Sequence, residues 1–249
     1  MTQSNNDNKP RRRLDRAVSD FDNRHVIASN LVYELPFGKG KHFASAAPRW
    51  LDELVGGWQL TTIYNYQSGE PLTIYSGVFT TNTQHTSTAV VTGANPGTTL
   101  NYNQTGVLGP VLWPTTAFVN PTTTNPNPAG VNCRTSTDGK TSYCIPAAGQ
   151  QGDGRNAFRG PGFWNTDAGL RKNFTLTERF KLQFIADAFN VFNHPNFENP
   201  RNATVGSPTI TSSSFGTVCC STAAVASQAN VNALGEPMRV FQLALKLNF

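Results

Sequence analysis

Charge is scarce in this chain. Of its 249 residues only 14% are Asp, Glu, Lys or Arg, against roughly a quarter in an average globular protein. Apolar residues stand at 38%, so the missing charge is replaced by uncharged polar side chains, with Thr and Asn together near a fifth of the chain. Both are poor helix formers, and Ala, Leu, Glu and Lys are too sparse to compensate, which excludes a helical bundle. Long apolar runs are also lacking. No window reaches the roughly 18 to 20 residues of a membrane helix, and residues 1–10 are wholly polar, without the apolar stretch of an export signal. Taken alone, these absences predict a cytosolic protein, and the pattern of the remaining residues contradicts them.

A basic face is missing as well. The net charge is +5 and the pI near 9.2, but Arg11, Arg12 and Arg13 form the one dense cluster and the other cations are scattered, which excludes a nucleic-acid partner. His25, His42, His85 and His194 lie far apart with no metal-ligand spacing. Gly38-Lys39-Gly40-Lys41 lacks the upstream glycine and the following Ser or Thr of a phosphate loop. No Gly-x-Ser-x-Gly and no Ser, His and carboxylate grouping occurs. The chain is therefore expected not to be an enzyme and to use no cofactor or metal.

What is present is period-two alternation, the signature of strands with two unlike faces. In residues 57–69, Trp58, Leu60, Thr62, Tyr64 and Tyr66 alternate with Gln59, Thr61, Ile63, Asn65 and Gln67. Further along, Phe180, Leu182, Phe184, Ala186 and Ala188 alternate with Lys181, Gln183, Ile185, Asp187 and Phe189. At the end, Phe241, Leu243, Leu245, Leu247 and Phe249 alternate with Val240, Gln242, Ala244, Lys246 and Asn248. Residues 163–174 set Trp164, Ala168, Leu170 and Phe174 against Asn165, Asp167, Arg171 and Asn173, with Lys172 as the exception, and residues 25–35 put Ile27, Leu31, Tyr33 and Leu35 on one side. For Arg171 and Lys181 to share a face, residue numbers paired across that hairpin must add to an even number; the simplest connection is a three-residue turn with a bulge at residues 175–177.

A soluble sandwich alternates too. These strands are long, however, and their apolar faces carry aromatics near the ends. Eight residues at about 3.3 Å span roughly 26 Å, or about 20 Å vertically after a tilt near 40°, close to the apolar band between the aromatic girdles of an outer-membrane barrel. The connections alternate between short and long, as in such barrels. With the C-terminus periplasmic, residues 36–56 form a periplasmic link, where residues 50–54 suit one helical turn. Residues 1–22, a disordered segment or loop, then lie outside with the long loops 70–162 and 193–236. Residues 78–152 hold only Arg134, Asp138 and Lys140 as charges, which predicts irregular structure with at most short hairpins.

Cys133 and Cys144 bracket the hairpin signal Asp138-Gly139. In an oxidising compartment they are expected to pair, and in a reducing one to remain two thiols. Cys219 and Cys220 suit either a vicinal disulfide or separate partners.

The phrases Asp22-Asn23-Arg24-His25, Leu35-Pro36-Phe37-Gly38-Lys39-Gly40, Gly56-Gly57-Trp58-Gln59, Gln67-Ser68-Gly69-Glu70-Pro71, Lys172-Asn173-Phe174 and Phe189-Asn190-Val191-Phe192-Asn193-His194-Pro195-Asn196-Phe197, with the terminal Phe249, occur in this order. Together they resemble the C-terminal end of an Oar-like TonB-dependent outer-membrane receptor, of the type that carries a carboxypeptidase-regulatory-like domain. The resemblance implies an all-β fold: about five antiparallel strands, within residues 23–249, of a 22-stranded transmembrane barrel in the cell outer membrane. It also implies energised substrate uptake by the intact receptor. Five strands do not close a barrel, so the chain reads as a truncated frame that is inactive alone. Its partners would be the remaining strands and plug, outer-membrane lipid and the barrel assembly machinery, with TonB reached only through the missing N-terminal part. The assembly signal would be Phe241, Leu243, Leu245, Leu247 and Phe249. Asp167, Arg171, Lys181, Gln183, Asp187, Gln242 and Lys246 would face the lumen, where their simplest role is to keep it wet. The competing reading is a secreted all-β binding or adhesive module with Thr- and Asn-rich loops.

Overall fold

A computed structural model of the chain describes residues 16–79, 86–102, 110–119, 132–147, 150–175, 177, 179–200, 206–218 and 238–249. Cys219 and Cys220 lie outside the described residues. The chain divides into two compact units, one built from residues 25–67, 163–196 and 222–249, the other from residues 1–24, 68–162 and 197–221.

The first unit is one antiparallel sheet. Its strands β1 (Val26–Glu34), β2 (Trp58–Gln67), β8 (Phe163–Thr175), β9 (Lys181–Phe189) and β10 (Val240–Asn248) lie side by side in sequence order, with β1 and β10 outermost. These are the five alternating segments. A short helix, α1 (Arg49–Val55), lies in the β1–β2 connection. The β8–β9 ladder pairs Ala168 with Ala188 and Leu170 with Ala186, an even sum. The expected three-residue turn is replaced, because Thr175 still pairs with Lys181 and residues 176–180 make the connection. There Phe180 N–H donates to Thr177 Oγ1 at 3.1 Å. The odd length preserves the face of every side chain, which is what parity required.

The phrase that follows β9 folds into a side-chain clasp. Asn190 and Asn193 adopt positive φ of 50° and 51°, a region Asn tolerates better than most residues. Asn190 Oδ1 accepts the His194 N–H at 2.9 Å. Asn196 then stands in for a neighbouring strand: its Oδ1 accepts the Trp164 N–H at 2.9 Å, and its Nδ2 donates to the Trp164 carbonyl at 3.0 Å. The His194 ring packs on the Trp164 ring with centroids 4.1 Å apart.

The second unit holds the buried core. The small strands β3 (Pro71–Leu72) and β7 (Phe158–Arg159) pair with each other, and β4 (Val90–Gly93), β5 (Cys133–Thr135) and β6 (Thr141–Cys144) form a sheet in the order β4-β6-β5. Around them Leu72, Ile74, Ala89, Leu112, Trp113, Tyr143, Ile210, Phe215 and Val218 are buried as one cluster. The described residues of 78–152 hold only short strands around one tight hairpin, as expected, and what the sequence did not indicate is the core. The apolar residues are few and lack a period, but they come from five separated stretches, at residues 72–74, 89, 112–113, 143 and 210–218, and converge. Low charge assists, since little has to be desolvated.

Candidate functional site

The ladders determine which side chains share a face. Across the sheet, Tyr33 opposes Leu60, Leu60 opposes Leu170, Leu170 opposes Ala186, and Ala186 opposes Leu243. All five apolar stripes thus merge into one surface. At one end it carries Tyr66, Trp164 and Phe241, at the other Trp58 and Phe174, with Thr62, Ala168, Leu170 and Ala186 between. Phe241, Leu243, Leu245, Leu247 and Phe249 are all exposed, Leu243 by 72% and Phe249 by 95%.

The opposite face gathers the polar residues. Gln59 opposes Arg171, Gln242 opposes Asp187, Lys246 opposes Gln183, and Asn248 opposes Lys181. Asp167, Arg171, Lys181, Gln183, Asp187, Gln242 and Lys246 therefore lie on one side. Asp167 Oδ1 accepts hydrogen bonds from Asn165 Nδ2 at 3.0 Å and from the Asn190 N–H at 2.8 Å, so it holds the end of β9. Asp187 depends on a glycine across the ladder: a Cβ at Gly169 would lie 2.5 Å from its Oδ1. Among the described residues no cluster of three or more His, Cys, Asp or Glu side chains could hold a metal.

Lys172, the exception to the alternation, points to the apolar side and is only 2% exposed. Its Nζ lies 5.3 Å from the Trp58 ring centroid and 5.0 Å from that of Phe174, and it donates to the Gly56 carbonyl. Cation–π contact and a carbonyl acceptor thus replace water. The neighbouring aromatics in the register were the available signal, and alternation alone does not reveal them.

In the loop unit, Cys133 and Cys144 oppose each other across β5 and β6 and are joined by a disulfide. Between them the hairpin turns at Asp138-Gly139, where Asp138 Oδ1 accepts the Lys140 N–H at 3.1 Å. The Ser136 hydroxyl, also donating to it, is the main reason the Asp138 carboxyl is held below its usual range. Arg134, singled out in the sequence only as a charge, is buried. Its Nε donates to the Ile210 carbonyl and its Nη2 to the Ser212 carbonyl, and the guanidinium stacks over Phe215 at 5.5 Å. Burial lowers its pKa from the usual guanidinium value. It joins the residues around 210 to the hairpin. Tyr143 is pushed up by burial in the same core, and Asp153, which accepts the Val91 N–H at 2.8 Å, is also raised by burial.

Residues 16–22 have no strand or helix but are tied into the loop unit. Arg155 Nη2 donates to both Asp20 oxygens at 2.7 Å, and Arg159 pairs with Asp22. Hydrogen bonds from Asn156 and Arg155 hold the Asp20 carboxyl below its usual range. An open depression lined by Thr99, Leu100, Asn101, Tyr102 and Pro114 lies on the surface of this unit.

No helix among the described residues is long and apolar enough to cross a membrane, which does not bear on crossing by strands. No curated protein and no solved structure matches the chain significantly. The family model of the outer membrane beta barrel domain does match, over residues 1–242. One apolar and one polar face on five long antiparallel strands are the features such a domain needs, and the chain belongs to the outer membrane beta barrel domain family, placing it in the outer membrane.

Proposed function

We propose that the chain supplies C-terminal strands to the barrel of an Oar-like TonB-dependent receptor that takes up a substrate across the outer membrane. The observation that carries this reading is the single apolar surface made by five successive strands, bordered by the phrases that resemble that receptor group. Two outer strands with unpaired edges are untenable in lipid, where each unsatisfied backbone group costs several kcal/mol. The edges of β1 and β10 therefore pair with further strands, and a 22-stranded wall around a plug is the assembly the resemblance implies.

In this reading the chain has no catalytic role and binds neither cofactor nor nucleic acid. Its polar face lines the wet interior beside the plug, and its apolar face meets lipid. The loop unit belongs to the extracellular side, where an external ligand first meets the receptor. Inner-membrane energy reaches the plug through TonB, which contacts other parts of the receptor. The apolar alternation ending in Phe249 is what the barrel assembly machinery would read.

The test uses the native polypeptide carrying this sequence, extracted by detergent from outer membranes. It should migrate as a heat-modifiable barrel and bind the periplasmic domain of TonB. A heat-modifiable barrel that does not bind TonB retains the family and overturns the receptor reading.

A further inference from the structure

The β1–β2 connection exposes more apolar surface than a link between two strands needs. Trp50 is 66% and Leu54 60% exposed, and their spacing of four puts them on one face of α1. The connection is nevertheless ordered around them. Lys41 Nζ bonds Glu34 at 2.9 Å at the end of β1, and the Lys39 N–H donates to Asp52 Oδ1 at 2.5 Å. Gly38, at φ 115°, and Gly56 abut so closely that a Cβ on Gly38 would lie 2.8 Å from the Gly56 Cα. The two glycine phrases singled out in the sequence therefore close one compact turn around the helix.

The tethers at the far end of α1 decide what the helix faces. Trp58 belongs to the apolar surface of the sheet, and its indole N–H donates to the Leu54 carbonyl at 3.0 Å. Lys172, next to it on the same surface, donates to the Gly56 carbonyl. Both pull the C-terminal end of α1 toward the apolar side. In an outer-membrane barrel that is the side lipid covers, so the exposed Trp50 and Leu54 continue an existing lipid-facing surface at its aromatic border. Tryptophan is favoured at that depth because its ring is apolar at one end and polar at the other.

We propose that α1 is an interfacial foot, with Trp50 and Leu54 inserted at the boundary between headgroups and acyl chains of the phospholipid leaflet nearest Phe249. The choice of the periplasmic leaflet rests on the orientation in the proposed function. The foot would limit vertical movement of β1 and β2 in the bilayer.

The native protein, reconstituted in phospholipid vesicles brominated at a shallow or a deep acyl position, tests this. Trp50 emission is read as the difference between the wild type and Trp50→Phe. The expected result is a blue-shifted signal that loses most of its intensity to the shallow bromine and less to the deep one. A water-like signal that neither lipid quenches overturns the proposal. So does a blue-shifted signal that neither lipid quenches, because a protein surface then covers the residue. Leu54→Cys carrying a nitroxide gives a second measurement, in which oxygen should reach the label more readily than a water-soluble nickel chelate. Heat-modifiable migration of each variant, together with TonB binding, separates failure of the foot from failure of the receptor reading.

Discussion

The five-stranded sheet and the loop unit are drawn from one Thr- and Asn-rich chain, yet they place their apolar residues in opposite ways. The sheet has long strands, regular alternation and almost no buried apolar side chain; Leu243, Leu245 and Leu247 on its last strand are exposed. The loop unit has strands of two to four residues and no alternation, yet it holds the core around Trp113, Tyr143 and Phe215. In a water-soluble protein the exposed stripe would be an aggregation surface. On the proposed function the two regions answer to two solvents. The sheet would be finished by lipid, whereas the loop unit excludes water by itself, with aromatic packing, a disulfide and a buried arginine.

The sharpest way to break this comparison is to damage one region and observe the other. Trp113→Ala removes the ring that meets Tyr143, Phe158 and Phe215 at centroid distances of 6.4, 6.2 and 5.7 Å. It should cost the loop unit about 3–5 kcal/mol and make residues 68–162 protease-sensitive, while outer-membrane level and heat-modifiability stay normal. Loss of both properties together would mean that the regions share one stability.

The converse substitution is Leu243→Arg on the apolar face. It should cost about 2–4 kcal/mol if the residue lies near the bilayer midplane, and it should lower the outer-membrane level on immunoblots, whereas Gln242→Arg on the polar face should not. Equal levels for the two variants would remove the distinction between the faces.

Opening the Cys133–Cys144 disulfide sharpens the comparison further. Replacing both cysteines by serine should destabilise the loop unit by about 2–3 kcal/mol in the chain-entropy picture. The readout is a lower denaturant midpoint for proteolysis of the loops, with no change in barrel assembly.

The smallest effect concerns the clasp after β9. Burial lowers the His194 pKa from its ordinary 6.5, with a hydrogen bond donated by the ring to Asn196 acting in the opposite direction. Its Nδ1 is buried without a partner, so the folded state favours the neutral ring. The resulting stability is present above about pH 6.5 and is lost as pH falls toward the lower folded value. Hydrogen exchange at the Trp164 amide should therefore accelerate on acidification across that window. In His194→Phe this acceleration should disappear while the Asn196 bonds persist.

Much of the sheet was legible before any coordinates. Period two in residues 57–69, 180–189 and 240–249 is visible because each side chain there has one of two environments, and five strands in sequence order follow from it. The helical turn at residues 50–54 was also visible, as a short apolar and acidic cluster between two glycine phrases. Lys172 was not explained, because its partners Trp58 and Gly56 lie more than a hundred residues away. The 175–177 turn was misplaced by preferring the shortest loop of the required parity.

The sequence by itself determined the local matters: which residues alternate, that the β8–β9 register must be even, and that Asp138-Gly139 makes a turn between two cysteines. These depend on backbone geometry over a few residues. Tertiary structure decided the rest. Only the ladders brought five apolar stripes onto one face and put Asp167, Arg171, Lys181, Gln183, Asp187, Gln242 and Lys246 together on the other. Only long-range packing turned scattered apolar residues of the loops into a core, buried Arg134 beneath Phe215, and held α1 toward the apolar side of the sheet. Burial is a property of what surrounds a side chain, and in this protein those surroundings come from distant segments and, on the proposed function, from lipid.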